Sequence, residues 1–180
     1  KTWGLNLKYK NKHIQVSCDG GAATGKSTGA KLIAKKYKLK FLSSGLLYRY
    51  ASFLILRNKP KNEIIFLKKQ FKKLNYNKLN KMNLHSQKIS NHASIIAKKN
   101  KIRNILKKYQ KDFSKKNRNC CIEGRDISTK ILPKSDVKFF FKCNLNIAAL
   151  RRYKELKKTN SKITLKDVKK SLKTRNILDI

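Results

Sequence analysis

The chain has 180 residues, 47 Lys and Arg against 9 Asp and Glu, a formal charge of +38 and 39% hydrophobic residues. This suits one domain with a real core. Apolar runs such as Ala51–Leu56 and Phe139–Phe141 fall far short of the roughly 20 residues a membrane span needs, and the basic start has no apolar stretch behind it that would read as a secretory signal.

Residues 1–12 are polar and unpatterned. A β-like run, Ile14–Cys18, then leads into Gly20-Gly21-Ala22-Ala23-Thr24-Gly25-Lys26-Ser27, which fits G-x-x-x-x-G-K-[ST] at every fixed position and continues into Thr28. Glycines let such a loop curl so that backbone N–H groups face phosphate oxygens. Lys26 adds a point charge for the β- and γ-phosphates, and the Ser27 hydroxyl can ligate Mg²⁺. Ala30, Ile33, Ala34 and Tyr37 recur on one face of a helix predicted at about 25–38. Its positive N-terminus would aim at the phosphates.

Lys40–Leu42 is a second short strand, and Ser44 is placed as the N-cap of the next helix. That helix carries Leu47, Tyr50, Ala51 and Leu54 on one face and stops near Asn58-Lys59-Pro60. Residues 61–117 are lysine-rich with helical spacing, predicting two or three helices and a loose stretch at about 75–84. Asn119–Glu123 and Val137–Cys143 read as buried-type strands, followed by helices at about 145–157 and 164–178. Strands alternating with helices predict an α/β fold on a parallel sheet. Ligands of such sheets sit at the carboxyl ends of the strands, where Asp19, Ser43 and Glu123 fall.

Cys18, Cys120, Cys121 and Cys143 lie in or beside strand-like runs without C-x-x-C spacing. They read as reduced core cysteines of a cytoplasmic protein. The charge would suit nucleic acid or a membrane surface. Yet the basic residues are 39 lysines against 8 arginines, and the lysines are scattered. With many Asn and Ile beside them, the excess favours drift in an A/T-rich genome over nucleic-acid binding. In a chain that uses lysine almost everywhere, an arginine marks a place that wants a planar, two-pronged grip on phosphate or carboxylate. The eight are Arg49, Arg57, Arg103, Arg118, Arg125, Arg151, Arg152 and Arg175.

A phosphate loop alone does not separate kinases from GTPases or motors. The GTPase marks are missing: no D-x-x-G occurs, and no Asn-Lys pair is followed by x-Asp. Three further segments carry the decision: Leu42-Ser-Ser-Gly-Leu-Leu-Tyr-Arg49, Glu123-Gly-Arg-Asp-Ile-Ser-Thr129, and Arg151-Arg-Tyr-Lys-Glu-Leu156 running on to Arg175-Asn-Ile-Leu-Asp179. In this order and at this spacing, the chain closely resembles bacterial cytidylate kinases across about 14–180. The resemblance implies a three-layer α/β/α nucleoside monophosphate kinase fold. It implies transfer of the γ-phosphate of ATP to CMP or dCMP with Mg²⁺. A kinase for UMP or another monophosphate is the near alternative, and a basic nucleic-acid-binding protein on a P-loop fold the distant one.

Carried over motif by motif, the resemblance gives each residue a role. Arg49 and Arg125 would hold the acceptor phosphate, with Ser44 nearby. Asp126 would pair with these arginines and face the acceptor nucleoside. Ser94 and Arg103 would read the cytosine ring, and Arg175 and Asp179 would hold acceptor phosphate and ribose hydroxyls. Arg151 and Arg152 would open a lid and stabilise charge on the transferring phosphoryl group. Glu123 would hold Mg²⁺ through water. His85 and His92 read as surface residues. The implied organisation is a core at about 13–58 and 118–150, an acceptor-binding region at about 59–117 and a lid at about 151–180. The sequence departs from the family pattern at Gly21 (usually Pro), Ser43 (Asp), Ser128 (Gly) and in a shortened acceptor insertion. The family's fifth strand and adenine-contacting loop are expected beyond Ile180.

Overall fold

The structure, a computed structural model, describes residues 13–79, 82–157 and 163–178, the side chains of 175–178 excepted. Strands β1 (Gln15–Gly20), β2 (Lys40–Ser43), β3 (Cys120–Gly124) and β4 (Val137–Phe141) form one parallel sheet in the order β2-β3-β1-β4. β1 therefore lies inside the sheet, and its carboxyl end is flanked by those of β3 and β4. Asp19 is in register with Gly124, and Ser43 with Glu123. This is the predicted α/β architecture.

Alternation along each strand divides the core. Cys120, Ile122 and Leu42 face a large cluster with Leu47, Leu54, Leu67, Ile96, Ile102 and Leu106. These come from α2 (Ser44–Asn58), α3 (Glu63–Lys72), α5 (Gln87–Ile96) and α6 (Asn100–Lys116). Val16, Cys18 and Cys121 face the other way, against Ala30 and Ala34 of α1 (Lys26–Lys36). A third cluster joins α7 (Leu145–Lys157) to α8 (Leu165–Leu178) through Ala149, Leu156, Val168 and Leu172, with Ala22 and Ala23 of the phosphate loop packed against it. No helix among the described residues is long and apolar enough to cross a membrane.

Several sequence expectations shift. The strand before the loop runs on through Asp19 and Gly20. Gly20 passes so close to β4 that an added Cβ would sit 2.4 Å from the Phe141 carbonyl oxygen. Tyr37 leaves the helical face: α1 ends at Lys36, and Tyr37 closes it with its N–H on the Ile33 carbonyl and its ring exposed. The loose stretch holds a one-turn helix α4 (Tyr76–Leu79), so the described residues of 61–117 carry four helices. The cap of α2 is Ser43, whose Oγ accepts the Leu46 N–H at 3.2 Å. Ser44, the expected cap, is the first helical residue, buried at the point where a Cβ on Gly124 would come within 3.0 Å of its own Cβ. A π-helical turn at Ile127–Ile131 was not expected.

Candidate active site

The loop Gly20–Ser27 bridges the end of β1 and the start of α1. Ala23 (φ 57°) and Gly25 (φ 86°) take left-handed backbone conformations, the curl that makes an anion-binding nest. Thr24 Oγ1 fastens the loop to the Gly21 carbonyl at 3.1 Å. Lys26 opens α1, and Ser27 and Thr28 follow, exposed in its first turn.

At the neighbouring strand end, Glu123 is 2% exposed and gathers this machinery. Its Oε2 meets Lys26 Nζ at 2.8 Å. Its Oε1 accepts from Ser27 Oγ at 3.1 Å and also from the Ser43 hydroxyl. Burial pushes this carboxyl up, but the Lys26 charge and the hydrogen bonds from Lys26, Ser43 and Ser27 outweigh it and hold Glu123 below the usual carboxylate range. Glu123 is thus a buried anion, charged at neutral pH, with the loop lysine drawn onto it. Ser43, expected at a strand end and in place of a family Asp, is a donor to the Glu123 carboxylate.

Asp19, one residue before the loop, is 3% exposed and accepts the N–H groups of Ile127 and Ser128 at 2.7 and 2.8 Å. It ties the phosphate-loop strand to the turn that follows Gly124-Arg125-Asp126. A carboxylate at a strand end just before a glycine-rich loop is the sequence signal for this clamp.

The arginines spread around this centre. Arg49, half-buried in the second turn of α2, lays its guanidinium back over the helix start, where a Cβ on Gly45 would meet Nη1 at 3.3 Å and Ser43 Oγ at 3.8 Å. Arg125 is half-buried just past β3. Asp126 pairs with Arg103 of α6, Nη2 to Oδ2 at 2.6 Å, a partner different from the Arg49 and Arg125 expected of it. Arg103 Nη1 also donates to the Ala97 carbonyl at 3.3 Å. Tyr48 lies within reach of this pair: burial pushes its phenol up to about 12, with Arg103 opposing the rise and Asp126 adding to it. Ser94 on α5 donates to the Ser90 carbonyl one turn back.

From α7, Arg151 reaches the loop, its Nη1 3.6 Å from where a Cβ on Gly25 would stand. Arg152 turns the other way, pairing with Glu155 at 2.9 Å. It lines a cleft of about 280 Å³ with Gln87 and Asn91 of α5 and Asp167 and Ser171 of α8. His85 is exposed; partial burial and the charges of Arg49 and Arg152 hold its pKa below the ordinary value. Arg175 stands in α8, its side chain outside the described set, and Asp179 lies outside the described residues.

A loop lysine and serine on one buried carboxylate, beside an Arg-Asp segment and facing an arginine from a helical pair, is an arrangement for positioning phosphates. The family model described as cytidylate kinase matches residues 16–180. The chain belongs to the cytidylate kinase family. Among its relatives, the cytidylate kinase of Bartonella tribocorum is 34% identical over 174 residues, covering 94% of this chain and 79% of that protein. The cytidylate kinase of Rickettsia africae is 34% identical over 183 residues, covering 97% and 81%. That of Rickettsia akari is 32% identical over 172 residues, covering 93% and 76%. At the end of β2 the chain sets a hydroxyl, Ser43, on Glu123 rather than a further carboxylate beside it.

Proposed function

We propose that the protein transfers the γ-phosphoryl group of ATP to CMP or dCMP, giving ADP and CDP or dCDP. One observation carries most of this reading: Lys26, Ser27 and Ser43 converge on Glu123 one residue before Gly124-Arg125-Asp126. Donor-phosphate and acceptor residues thereby share one strand end. The hard oxygen donors of Ser27 and Glu123, 3.1 Å apart, fit Mg²⁺, with Glu123 acting through water. When bound, the ion would neutralise charge on the β- and γ-phosphates.

Phosphoryl transfer asks the protein for alignment and charge more than for covalent chemistry. The loop N–H groups and Lys26 hold the donor; on nucleotide binding, Lys26 exchanges Glu123 for phosphate oxygens. Arg49 and Arg125 grip the acceptor phosphate so that one of its oxygens attacks the γ-phosphorus in line as the bond to the β-phosphate oxygen breaks. Arg151, already over Gly25, neutralises the charge spread over the transferring group. Ser94 and Arg103 read the base, with Asp126 fixing Arg103, and Arg175 and Asp179 hold the acceptor's phosphate and ribose. The α3–α6 region is the acceptor arm and α7–α8 the lid.

Coupled ADP release with a panel of monophosphates tests this. Turnover with CMP and dCMP well above UMP, AMP and GMP is expected. Equal turnover with UMP would remove the base assignment, and no turnover with any monophosphate would overturn the phosphoryl-transfer reading.

A further inference from the structure

Tyr76 belongs to the one-turn helix α4 and lies far in sequence from every motif above, yet its phenol touches the catalytic strand end. Its oxygen accepts the Ser43 backbone N–H at 2.6 Å. β2 is an edge of the sheet, so part of its backbone has no strand partner on the outer side; Tyr76 covers the last of these groups before the chain turns into α2. The ring is 7% exposed and tilts against Phe113 of α6, centroids 6.2 Å apart. Ser43 is committed on all sides: N–H to Tyr76, Oγ accepting from Leu46 N–H, and its one hydroxyl proton on Glu123. Glu123 in turn holds Lys26 and Ser27.

We propose that Tyr76 is a positioning residue for phosphoryl transfer, acting through Ser43 and Glu123 to set the phosphate loop, and so linking the α3–α6 arm to the donor site. The phenol fixes the last peptide of β2, that peptide aims the Ser43 hydroxyl, and the hydroxyl orients the Glu123 carboxylate on which Lys26 and Ser27 rest. Without the phenol oxygen, the Ser43 peptide gains freedom to rotate and Glu123 loses its fixed orientation. The phenol's hydrogen bond goes to the Ser43 peptide and not to the arginines that grip the acceptor. The inference rests on the kinase reading above.

Tyr76→Phe keeps the ring and its contact with Phe113 and removes only the oxygen. With one hydrogen bond lost from a positioned network, kcat is expected to fall about tenfold, while KM for CMP stays within about twofold and the melting temperature changes little. Ser43→Ala is expected to lower kcat as well. Since both act along one line, the double variant should be no slower than about the worse single, a coupling that independent sites do not show. Unchanged kcat in Tyr76→Phe, a loss carried mainly in KM for CMP, multiplicative losses in the double variant, or a Tyr76→Phe protein that does not fold would each overturn the proposal. Wild-type turnover in the same assay tests the kinase reading separately. ATP affinity, measured without acceptor on the four proteins, reads the loop even for a wild type that prefers another monophosphate. There, too, the double variant should bind no more weakly than the worse single.

Discussion

Glu123→Gln should destabilise the nucleotide-free protein by about 2–3 kcal/mol, and ATP should remove most of that deficit. Lys26 Nζ and Glu123 Oε2 are 2.8 Å apart with side-chain exposures of 11% and 3%. At an effective dielectric of about 20, a pair at that distance attracts with about 6 kcal/mol. Glutamine loses all of that attraction, but burying the carboxylate costs several kcal/mol and glutamine still offers an oxygen to Ser27 and Ser43, so the net loss is about half of it. For a chain of this size that lowers the melting temperature by roughly 5–10 °C. Saturating ATP gives Lys26 phosphate oxygens instead, and the gap should close to under about 1 kcal/mol. The pH dependence has a fixed sign. The folded pKa of Glu123 lies below its unfolded value, so its stabilisation is present above about pH 4.3 and is lost as pH falls through the folded pKa. The difference between wild type and Glu123→Gln should therefore shrink on acidification. Thermal melts at pH 7 and pH 3.5, with and without ATP, measure all of this. Equal melting temperatures at pH 7 without nucleotide, or a deficit that ATP leaves intact, would refute the account of Glu123 as the resting partner of Lys26.

Lys26→Ala should cut CMP-dependent ATP turnover by about 10³-fold, the scale of losing a preorganised charge at the reacting group, while circular dichroism shows the fold retained. Arg49→Lys and Arg125→Lys should each damage catalysis although charge is kept, because a two-pronged grip becomes a point charge; wild-type kcat/KM for CMP in either variant would contradict the assigned role. Arg103 and Asp126 are each about one-third exposed, so Arg103→Lys should change stability by less than about 1 kcal/mol yet erode the preference for CMP over UMP; equal effects on both substrates would count against base reading there. Gly29→Ala would place a Cβ 2.5 Å from the Phe141 ring and should cost about 1–3 kcal/mol by overpacking, seen as a lower urea midpoint.

Legibility in the sequence followed the range of the interactions. The phosphate loop is a local object, and its residues, strand and helix lie within about twenty positions, so motif and periodicity together fixed it. The strands at 40, 119 and 137 were short apolar runs bounded by polar residues, and the arginines stood out against lysine. The π-turn at Ile127–Ile131 was invisible because its anchor, Asp19, is more than 100 residues away. The cap of α2 was placed one residue late because Ser43 and Ser44 are chemically equal; the strand register with Glu123 decides between them. The partner of Asp126 depended on how α6 packs, and no spacing rule reports that. Tyr76 sits in the least patterned stretch of the chain, where nothing local marks a residue whose one polar contact lies 33 positions upstream.

The central place of β1 also shapes the birth of the chain. Its partners β3 and β4 are made about 100 residues later, so at roughly 5–20 residues per second the ribosome leaves Gln15–Gly20 without a neighbour for about 5–20 s. An unpaired strand with a thiol at Cys18 must wait that long among other nascent chains. What emerges behind it in the meantime is the lysine-studded stretch from α3 to α6, whose like charges keep neighbouring chains apart. A lysine excess spread along the whole chain, and not used by the finished site, thus also supplies mutual repulsion while the protein is unfinished.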